Sequence, residues 1–490
     1  MASMEEIREA RLAKLGLLEK NNIDPYPARL ERSHSIFDLK QNFENLKEAT
    51  IVGRVMSLRG QGAITFVDLF DGTGTFQGLL KSDEPISYTG VGVSKAFELF
   101  QGTVDQGDFI QITGTLFVSK RGEQTVQVSA WKMVAKSLRA LPDEWYGLKN
   151  EEERYRRRYI DILLNTEVKN RIVQKAVFWN SFREFLMNKG FVEVETPVLE
   201  NTPGGAEARP FVTHHNALDL DVYLRISAGE LPQKKLLVAG FERVFEIGRI
   251  FRNEGMSYEH LQDYTQIEFY EAFSDYQEGM KMVTEMYRYV AEKTFGTTKF
   301  TINEQDVDLA KEWQTYDYVA LIKEKTGLDV LETDLKELTK KLKELNIDFD
   351  PKDLNKERAT DLIWKSIRKE LTGPGFLINI PVFMEPLAKR SPKDNRVVER
   401  MQVILGGSEM GKGFSELNNP IDQNERFEHQ EELRASGDEE AQMKDDEYVE
   451  AMEYGMPPAF GFGISERLFA VLAGVSVREA QIFPLMRPKG

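Results

Sequence analysis

The stretch Phe241-Glu-Arg-Val-Phe-Glu-Ile-Gly-Arg-Ile-Phe-Arg-Asn-Glu-Gly255, followed after a short loop to His260 by Asp263-Tyr-Thr-Gln-Ile-Glu-Phe-Tyr-Glu-Ala-Phe273, decides how the chain is read. Two runs with period-two alternation flank a polar loop of hairpin size. Successive side chains on a strand point to opposite faces, so Gly248, Arg252 and Glu254 share one face and Tyr264, Gln266, Glu268 and Tyr270 share another. Pairing of the strands brings those faces together. The surface so formed carries a guanidinium, carboxylates, an amide and two phenols on rigid backbone. Such groups lose several kcal/mol on leaving water unpaired. Either a polar ligand fills the surface, or it is a solvated sheet face laced with cross-strand ion pairs.

The rest of the chain narrows the choice. At 490 residues it is too long for one ordinary domain, and its 41% hydrophobic and 10% aromatic content is enough to fill the cores of two or three. No run of about 18 apolar residues and no basic, apolar leader is present, so neither a membrane span nor a secretory signal is expected, and a cytoplasmic protein is. The absence of cysteine excludes disulfides and thiolate metal sites. The adjacent pair His214-His215 would point to opposite faces of a strand and makes a poor chelate. A net charge of −16 argues against indiscriminate nucleic-acid binding but leaves room for a local basic track. Arg154, Arg156, Arg157 and Arg158, beside Tyr155 and Tyr159, offer one, unless they pair with Glu151 to Glu153 on a helix.

Residues 2 to 22 read as a charged amphipathic helix with Leu12, Leu15, Leu17 and Leu18 as its apolar stripe. Five strands follow, Ile51 to Leu58, Ile64 to Leu69, Phe76 to Leu80, Phe109 to Phe117 and Gln124 to Val134, with a helix over Ser94 to Phe100 after the third. That order is an OB-fold barrel, which often holds single-stranded nucleic acid by stacking bases on aromatic side chains. Phe66 is the candidate platform, with Gln77 and Glu123 as base-edge readers; the alternative is that Phe66 faces the barrel interior. A linker leads to a helix over about Glu167 to Lys189, stopped at Gly190, and then to a strand over Phe191 to Leu199. Beyond Gly204-Gly205-Ala206 comes a helix from Glu230, whose carboxylate at the N-terminus is also explained by capping. Residues 276 to 295 and 315 to 372 read as helices without chemistry.

Chemistry resumes at Met401 to Asn418. Gly406, Gly411 and Lys412 imitate a P-loop, but position 413 is Gly where Ser or Thr must hold magnesium, and Glu409 would aim its charge at the phosphates, so that reading is rejected. Glu409 and Glu416 are better explained as magnesium ligands or as partners of a cationic substrate. In the tail, a short strand feeds a helix with Ser465 as N-cap. Arg467 then sits in the first turn, where the helix dipole disfavours a cation, so either a bound anion or a local bridge to Glu466 or another carboxylate is expected to compensate.

These residues carry a resemblance. Lys189-Gly190-Phe191 through Thr196-Pro197 resembles motif 1 of the class II aminoacyl-tRNA synthetases. Phe251-Arg252-Asn253-Glu254 through Glu268-Phe269-Tyr270 resembles motif 2, and Gly461-Phe-Gly-Ile-Ser-Glu-Arg467 resembles motif 3. Gly204-Gly205-Ala206, Ala208-Arg209-Pro210-Phe211, Thr213 to Ala217, Pro386 to Lys389 and Gly413-Phe-Ser-Glu-Leu-Asn418 are similar to the bacterial lysyl-tRNA synthetases within that class. The resemblance covers essentially the whole chain.

It implies an α+β protein: an N-terminal helix and connector (1–48), an OB-fold anticodon-binding domain (49–138), a linker (139–165), and a catalytic domain (166–490) with a mixed, mainly antiparallel sheet flanked by helices and a helical insertion at about 300–372. It further implies a homodimer formed through motif 1, acting on ATP, L-lysine and tRNA(Lys) with Mg2+. Arg252 would bind the α-phosphate and the substrate carboxylate, Glu254 the adenine amino group, and Arg467 the γ-phosphate. His260 would help fix the phosphates and Tyr264 would meet the adenine ring. Glu230 and Glu268, with Gly205 nearby, would take the lysine α-amino group; Tyr270 and Glu416, beside Phe414, would take the side-chain ammonium.

Four departures from the family pattern stand out. Gln402 replaces a magnesium-binding Glu, leaving Glu409 as the carboxylate ligand; Lys412 replaces Asn; Pro232-Gln233 replaces an aromatic pair; and the strand before Arg467 is about one residue short. The rival expectations are a ligase of the same architecture for another amino acid such as aspartate, a non-catalytic tRNA-binding paralogue, and a ligase modifying a protein lysine. Glu230, Glu268 and Glu416 weigh against an acidic substrate, retention of Arg252, Glu254 and Arg467 weighs against a non-catalytic chain, and the N-terminal barrel weighs against the third.

Overall fold

The computed structural model describes residues 3–88, 93–142, 148, 150–206, 208–255, 260–351, 354–437 and 441–489. The chain divides into two compact units, Met1–Glu151 and Glu152–Gly490. Part of the expected linker, residues 143–147 and 149, lies outside the described residues.

The first unit opens with α1 (Met4–Lys20), capped by a reciprocal pair of hydrogen bonds between Ser3 and Glu6, and α2 (Ile36–Gln41). The stripe of α1 differs from its expectation. Leu18 is buried but Leu12 and Leu17 are exposed, and the second buried side chain is Arg11, whose guanidinium donates to the carbonyls of Gln106, Ser137 and Arg139. Strands β1 (Glu48–Gln61), β2 (Ile64–Phe70), β3 (Thr75–Lys81), β4 (Phe109–Val118) and β5 (Gln124–Ala135) close into a barrel in the order β1-β2-β3-β5-β4. Helix α3 (Val93–Thr103) follows β3. Alternation on β2 sends Val67 and Leu69 inward to complete exclusion from solvent, among Ile51, Ile110, Ile112 and Val126.

The second unit begins with α4 (Glu151–Arg156), α5 (Arg158–Leu164) and α6 (Thr166–Asn188). The arginine run is spent on local carboxylates: Arg154 and Arg158 pair with Asp161 at 2.9 and 2.7 Å, Arg156 with Glu152 at 2.7 Å and Arg157 with Glu153 at 3.4 Å. Helix α6 stops where Gly190 adopts φ +83°, its N–H reaching Met187 O and that of Phe191 reaching Leu186 O. The single strand expected over Phe191 to Leu199 is instead two short ones, β6 (Val192–Glu193) and β7 (Leu199–Glu200), on either side of Pro197, which has no N–H for a ladder. After β8 (Val212–His215), β9 (Leu220–Leu224) and α7 (Glu230–Val238) comes the hairpin β10 (Arg243–Phe251) and β11 (Asp263–Ala272), then α8 (Tyr276–Phe295).

The stretch from about residue 300, expected to be helical, opens with strands β12 (Lys299–Ile302), β13 (Gln305–Asp308) and β14 (Gln314–Asp317) before α9 (Tyr318–Thr326), α10 (Leu335–Glu344) and α11 (Lys356–Ile367). The remainder is β15 (Gly375–Ile378), β16 (Arg400–Leu405), β17 (Ser408–Ser415), α12 (Pro420–Ala435), α13 (Asp446–Glu453), β18 (Ala459–Ser465) and α14 (Arg467–Leu472). The main sheet runs β14-β15-β16-β17-β18-β11-β10-β6; only its two edge strands are parallel to their neighbours.

Alternation on β11 gives this sheet two chemically different faces. Ile267 and Phe269 point down onto α6 and α8, where Phe178, Phe182 and Met286 are wholly buried. Each such aromatic contributes about 2–3 kcal/mol by burial. Glu268 and Tyr270 point the other way, toward α7, α11 and α13. No helix among the described residues is long and apolar enough to cross a membrane.

Candidate active site

The hairpin register sets Glu246 opposite Glu268, Gly248 opposite Gln266 and Ile250 opposite Tyr264. The two faces expected to meet do meet. Arg252 follows the end of β10, its Nε 3.3 Å from Ile226 O and its guanidinium 5.8 Å from the centre of the Tyr264 ring. Beneath them a buried ion pair joins Arg225 to Glu246, and the same carboxylate accepts from the N–H and hydroxyl of Thr196 at 2.9 and 2.7 Å. The Thr-Pro segment after β6 is thus tied to the floor of the hairpin.

At one end of the face β17 and β18 join β11, with Tyr270 and Phe414 both paired to Gly461. A Cβ at Gly461 would lie 2.1 Å from Glu416 Oε1 and 2.5 Å from the Tyr270 ring, so glycine is what lets three strands bring this carboxylate and phenol together. Glu230 is the first residue of α7 but not its cap: Gly229 holds the N-cap position and brings no side-chain cap. Glu230 Oε1 accepts from Lys234 Nζ at 2.7 Å, and the same Nζ lies 2.6 Å from Glu416 Oε2. Gly205, at φ +84°, lays its loop against the Glu230 Cβ, which a side chain there would meet at 2.6 Å.

Glu268 Oε1 accepts from Ala228 N–H at 2.9 Å and from Gln266 Nε2 at 2.5 Å, and its Oε2 from the Tyr270 hydroxyl at 2.9 Å. Burial, reinforced by Glu230, pushes the Glu268 carboxyl up to about 7. Burial raises Glu416 to about 8 against the opposing pull of Lys234. Charges from Glu230 and Glu416 outweigh the burial of Lys234 and hold its ammonium protonated.

At the other end Arg467 is the first residue of α14. Ser465 is not its N-cap: Glu466 holds that position, and Ser465 Oγ accepts from the Arg467 N–H at 3.3 Å. Glu466 is buried and engaged by Lys175 at 2.6 Å and by Gln481. Glu409 accepts from Trp364 Nε1 at 2.7 Å. Gln402 accepts from Arg400, which also pairs with Glu385, while the half-exposed Lys412 lies 3.5 Å from that same Glu385. Lys412 is therefore turned toward Glu385, and Glu409 and Glu416 serve different ends of the face.

A cavity of about 520 Å3 runs between these ends. Gly205, Glu230, Glu268, Tyr270, Phe414 and Glu416 line it, and so do Arg252, Glu254, His260, Tyr264, Gln402, Glu409 and Arg467. The sequence reading missed Lys234, although Glu-x-x-x-Lys spacing on α7 signals the pair, because that spacing is usually a surface feature. It also missed Arg400 and Trp364, for which the sequence carries no signal.

In the first unit, Phe66 is half-buried and lies on the opposite face of β2 from the interior residues Val67 and Leu69, so the interior alternative is excluded. Leu79 and Gln77 stand opposite Phe66 and Asp68 on that outer face. Gln77 Nε2 donates to Glu123 at 2.8 Å, and Gln77 Oε1 accepts from the Thr125 hydroxyl at 3.1 Å.

Comparison with known proteins identifies the family. Residues 150–487 match the tRNA synthetases class II (D, K and N), and residues 49–134 match the OB-fold nucleic acid binding domain. The lysine–tRNA ligase of Carboxydothermus hydrogenoformans is 42% identical across 99% of this chain and 99% of its own length. Those of Clostridium perfringens and Fervidobacterium nodosum are 42% and 40% identical, over 100% and 99% of this chain and 97% and 95% of theirs. The chain belongs to the class II lysine–tRNA ligases. Lysine–tRNA ligase activity and the barrel-plus-catalytic-domain architecture follow from that membership. In this lysine–tRNA ligase Gln402 is held by Arg400 and Lys412 is turned to Glu385.

Proposed function

We propose that the cavity forms lysyl-adenylate from L-lysine and ATP and then passes the lysyl group to tRNA(Lys) in the cytoplasm. The lysine carboxylate attacks the α-phosphorus in line, forming an O–P bond as the bond to the β-phosphate oxygen breaks and pyrophosphate leaves. A terminal ribose hydroxyl of the tRNA then attacks the acyl carbon, loses its proton, and displaces AMP. The first step needs no protein base, because the attacking carboxylate is already ionised. Positioning and charge neutralisation carry the catalysis.

The observation that carries this reading is the order of the lining residues along β11 and β18: Glu268 and Tyr270, opposite Gly463 and Gly461, lie with Glu230 and Glu416, whereas Gln266 is opposite Ser465, two residues before Arg467, and Arg252 lies over Tyr264. Glu230 and Glu268 take the α-ammonium. Tyr270 and Glu416 take the side-chain ammonium, with Phe414 as an apolar wall. Arg252 bridges the substrate carboxylate and the α-phosphate, Tyr264 and Glu254 hold the adenine, and His260 and Arg467 hold the outer phosphates.

Magnesium fits the donor set in one way. The Gln402 oxygen is taken by Arg400, no group of three or more potential ligands occurs among the described residues, Glu385 is engaged by Arg400 and Lys412, and Glu409 is a carboxylate lining the cavity. One carboxylate suits an ion that keeps several waters and arrives with the ATP phosphates. Glu409 would hold it, and its chemistry would be to neutralise charge on the departing pyrophosphate. Gln402 stands where the resemblance leads one to expect a second carboxylate.

A homodimer through the motif 1 region is part of the proposal. It is supported by the exposed apolar side chains Val173, Val177, Met187, Val192, Val198 and Leu199 along α6, β6 and β7. The outer face of the barrel around Phe66, Gln77 and Glu123 is proposed to read the anticodon.

Amino-acid-dependent ATP–pyrophosphate exchange with each of the twenty amino acids tests the reading. Exchange with lysine alone is expected; exchange with a different amino acid would overturn the pocket assignment.

A further inference from the structure

Lys234, which the proposed mechanism leaves unused, is buried against two of the carboxylates that line the amino-acid pocket, and its placement is costly. Its side chain is completely excluded from solvent. The ammonium sits 2.7 Å from Glu230 Oε1 and 2.6 Å from Glu416 Oε2, over the Phe414 and Tyr270 rings at 5.2 and 5.7 Å. An ammonium taken this far from water persists only when opposed charges hold it. Here two carboxylates from different parts of the chain do so, one on α7 and one beyond β17.

The pair leaves specific atoms over. Glu416 is buried and neither of its oxygens has a hydrogen-bond donor among the described residues: Oε2 meets the Lys234 ammonium as an ion contact at 2.6 Å, and no ion contact is made by Oε1. A buried carboxylate oxygen without a donor awaits one. Counting charges, three carboxylates against one resident ammonium leave two negative charges. Lysine brings two ammonium groups, its carboxylate being met by Arg252.

We propose that Lys234 is a resident counter-cation and positioning residue of the amino-acid pocket: by holding one oxygen each of Glu230 and Glu416 it aims their other oxygens at the substrate and sets the net charge of the empty site to match a dication. The inference rests on reading this pocket as the lysine site.

The groups facing one another are Glu230 and Lys234 on α7, Gln266, Glu268 and Tyr270 on β11, Glu416 after β17, and Tyr448 on α13, whose phenol burial keeps protonated. In the empty site Glu268 and Glu416 titrate near 7 and 8, with Lys234 pulling both down. Protons therefore compete with lysine, and lysine binding releases them. Affinity rises with pH until the carboxylates are ionised. Removing Lys234 raises both carboxyls, and the rising limb moves to higher pH.

The test is calorimetric titration of the full chain with L-lysine, without ATP, from about pH 6 to 9. In the wild type, binding at about pH 7.5 is expected to release on the order of one proton, read from buffers of different ionisation enthalpy. Lys234→Met and Lys234→Gln are expected to bind lysine about tenfold more weakly at pH 7, with the gap narrowing toward pH 9 and ATP affinity unchanged. Lys234→Arg keeps the charge and is expected to keep the wild-type midpoint. A neutral variant whose lysine curve parallels the wild type at every pH would overturn the proposal, as would loss of lysine and ATP affinity together. Absence of proton release in the wild type would overturn it without any variant. If the wild-type chain binds no lysine at all, it is the pocket reading that falls.

Discussion

The indole of Trp364 donates to Glu409 across 2.7 Å, so a helix of the segment inserted between β14 and β15 holds a carboxylate on the catalytic sheet. Trp364 is itself 2% exposed, and its other contacts are apolar packing. A hydrogen bond to a charged group contributes about 1.5–3 kcal/mol. Trp364→Phe keeps most of the packing and removes the donor. The expected outcome is a rise of about tenfold in the magnesium concentration needed for half-maximal exchange, with the KM for lysine unmoved. Unchanged magnesium dependence in a folded variant would show that Glu409 needs no such support.

Stability should depend on pH in the direction opposite to that of a surface carboxylate. Burial raises Glu268 to about 7, and Glu416 and Glu200 to about 8, so the folded chain holds protons that the unfolded chain has already lost. Stability contributed by these groups is present at low pH and is lost as pH climbs through their folded values. The expected result is a melting temperature of the ligand-free catalytic unit that falls by several degrees between about pH 5.5 and 8.5. Saturating lysine should recover most of the loss. Scanning calorimetry at fixed ionic strength reads both, and a melting temperature that climbs over this range would contradict the assignment.

Phe66 predicts a separation of the two half-reactions. Base–aromatic stacking contributes about 1–3 kcal/mol per base. Phe66→Ala should raise the KM for tRNA by about 5- to 150-fold while pyrophosphate exchange stays at the wild-type rate. Equal loss of both would assign Phe66 to the stability of its barrel.

The exposed apolar side chains along α6, β6 and β7 make the last expectation. Val177→Glu combined with Val198→Glu should convert a dimer to monomer in sedimentation velocity, since buried unpaired carboxylates cost several kcal/mol. A double variant that sediments as the wild type would move the interface elsewhere.

The parts legible in the sequence are those in which a local rule and the tertiary structure agree. Alternation placed Glu268 and Tyr270 on one face because Ile267 and Phe269 need the other for the core. The glycine stop at 190 was legible because its left-handed backbone suits glycine. The illegible parts are those decided by distant partners. Arg11 is buried because carbonyls at Gln106, Ser137 and Arg139 receive it, and nothing within α1 announces them. Strand β14 is short and polar, and it becomes a strand because β15 offers it an edge. Nothing local distinguishes Lys234 from half of a solvated helix pair, and only Glu416, 182 positions along the chain, makes it a buried one.

Gln77 has both ends of its amide committed on the outer face of the barrel, the nitrogen to Glu123 and the oxygen to Thr125. Turning it over would set its oxygen against the Glu123 carboxylate. A nucleotide reaching this face, as proposed, would therefore meet a donor–acceptor direction written during folding. A neighbouring amide left loose could serve either of two letters by rotating, whereas this one offers a single spelling, and Glu123→Gln would give it back the choice.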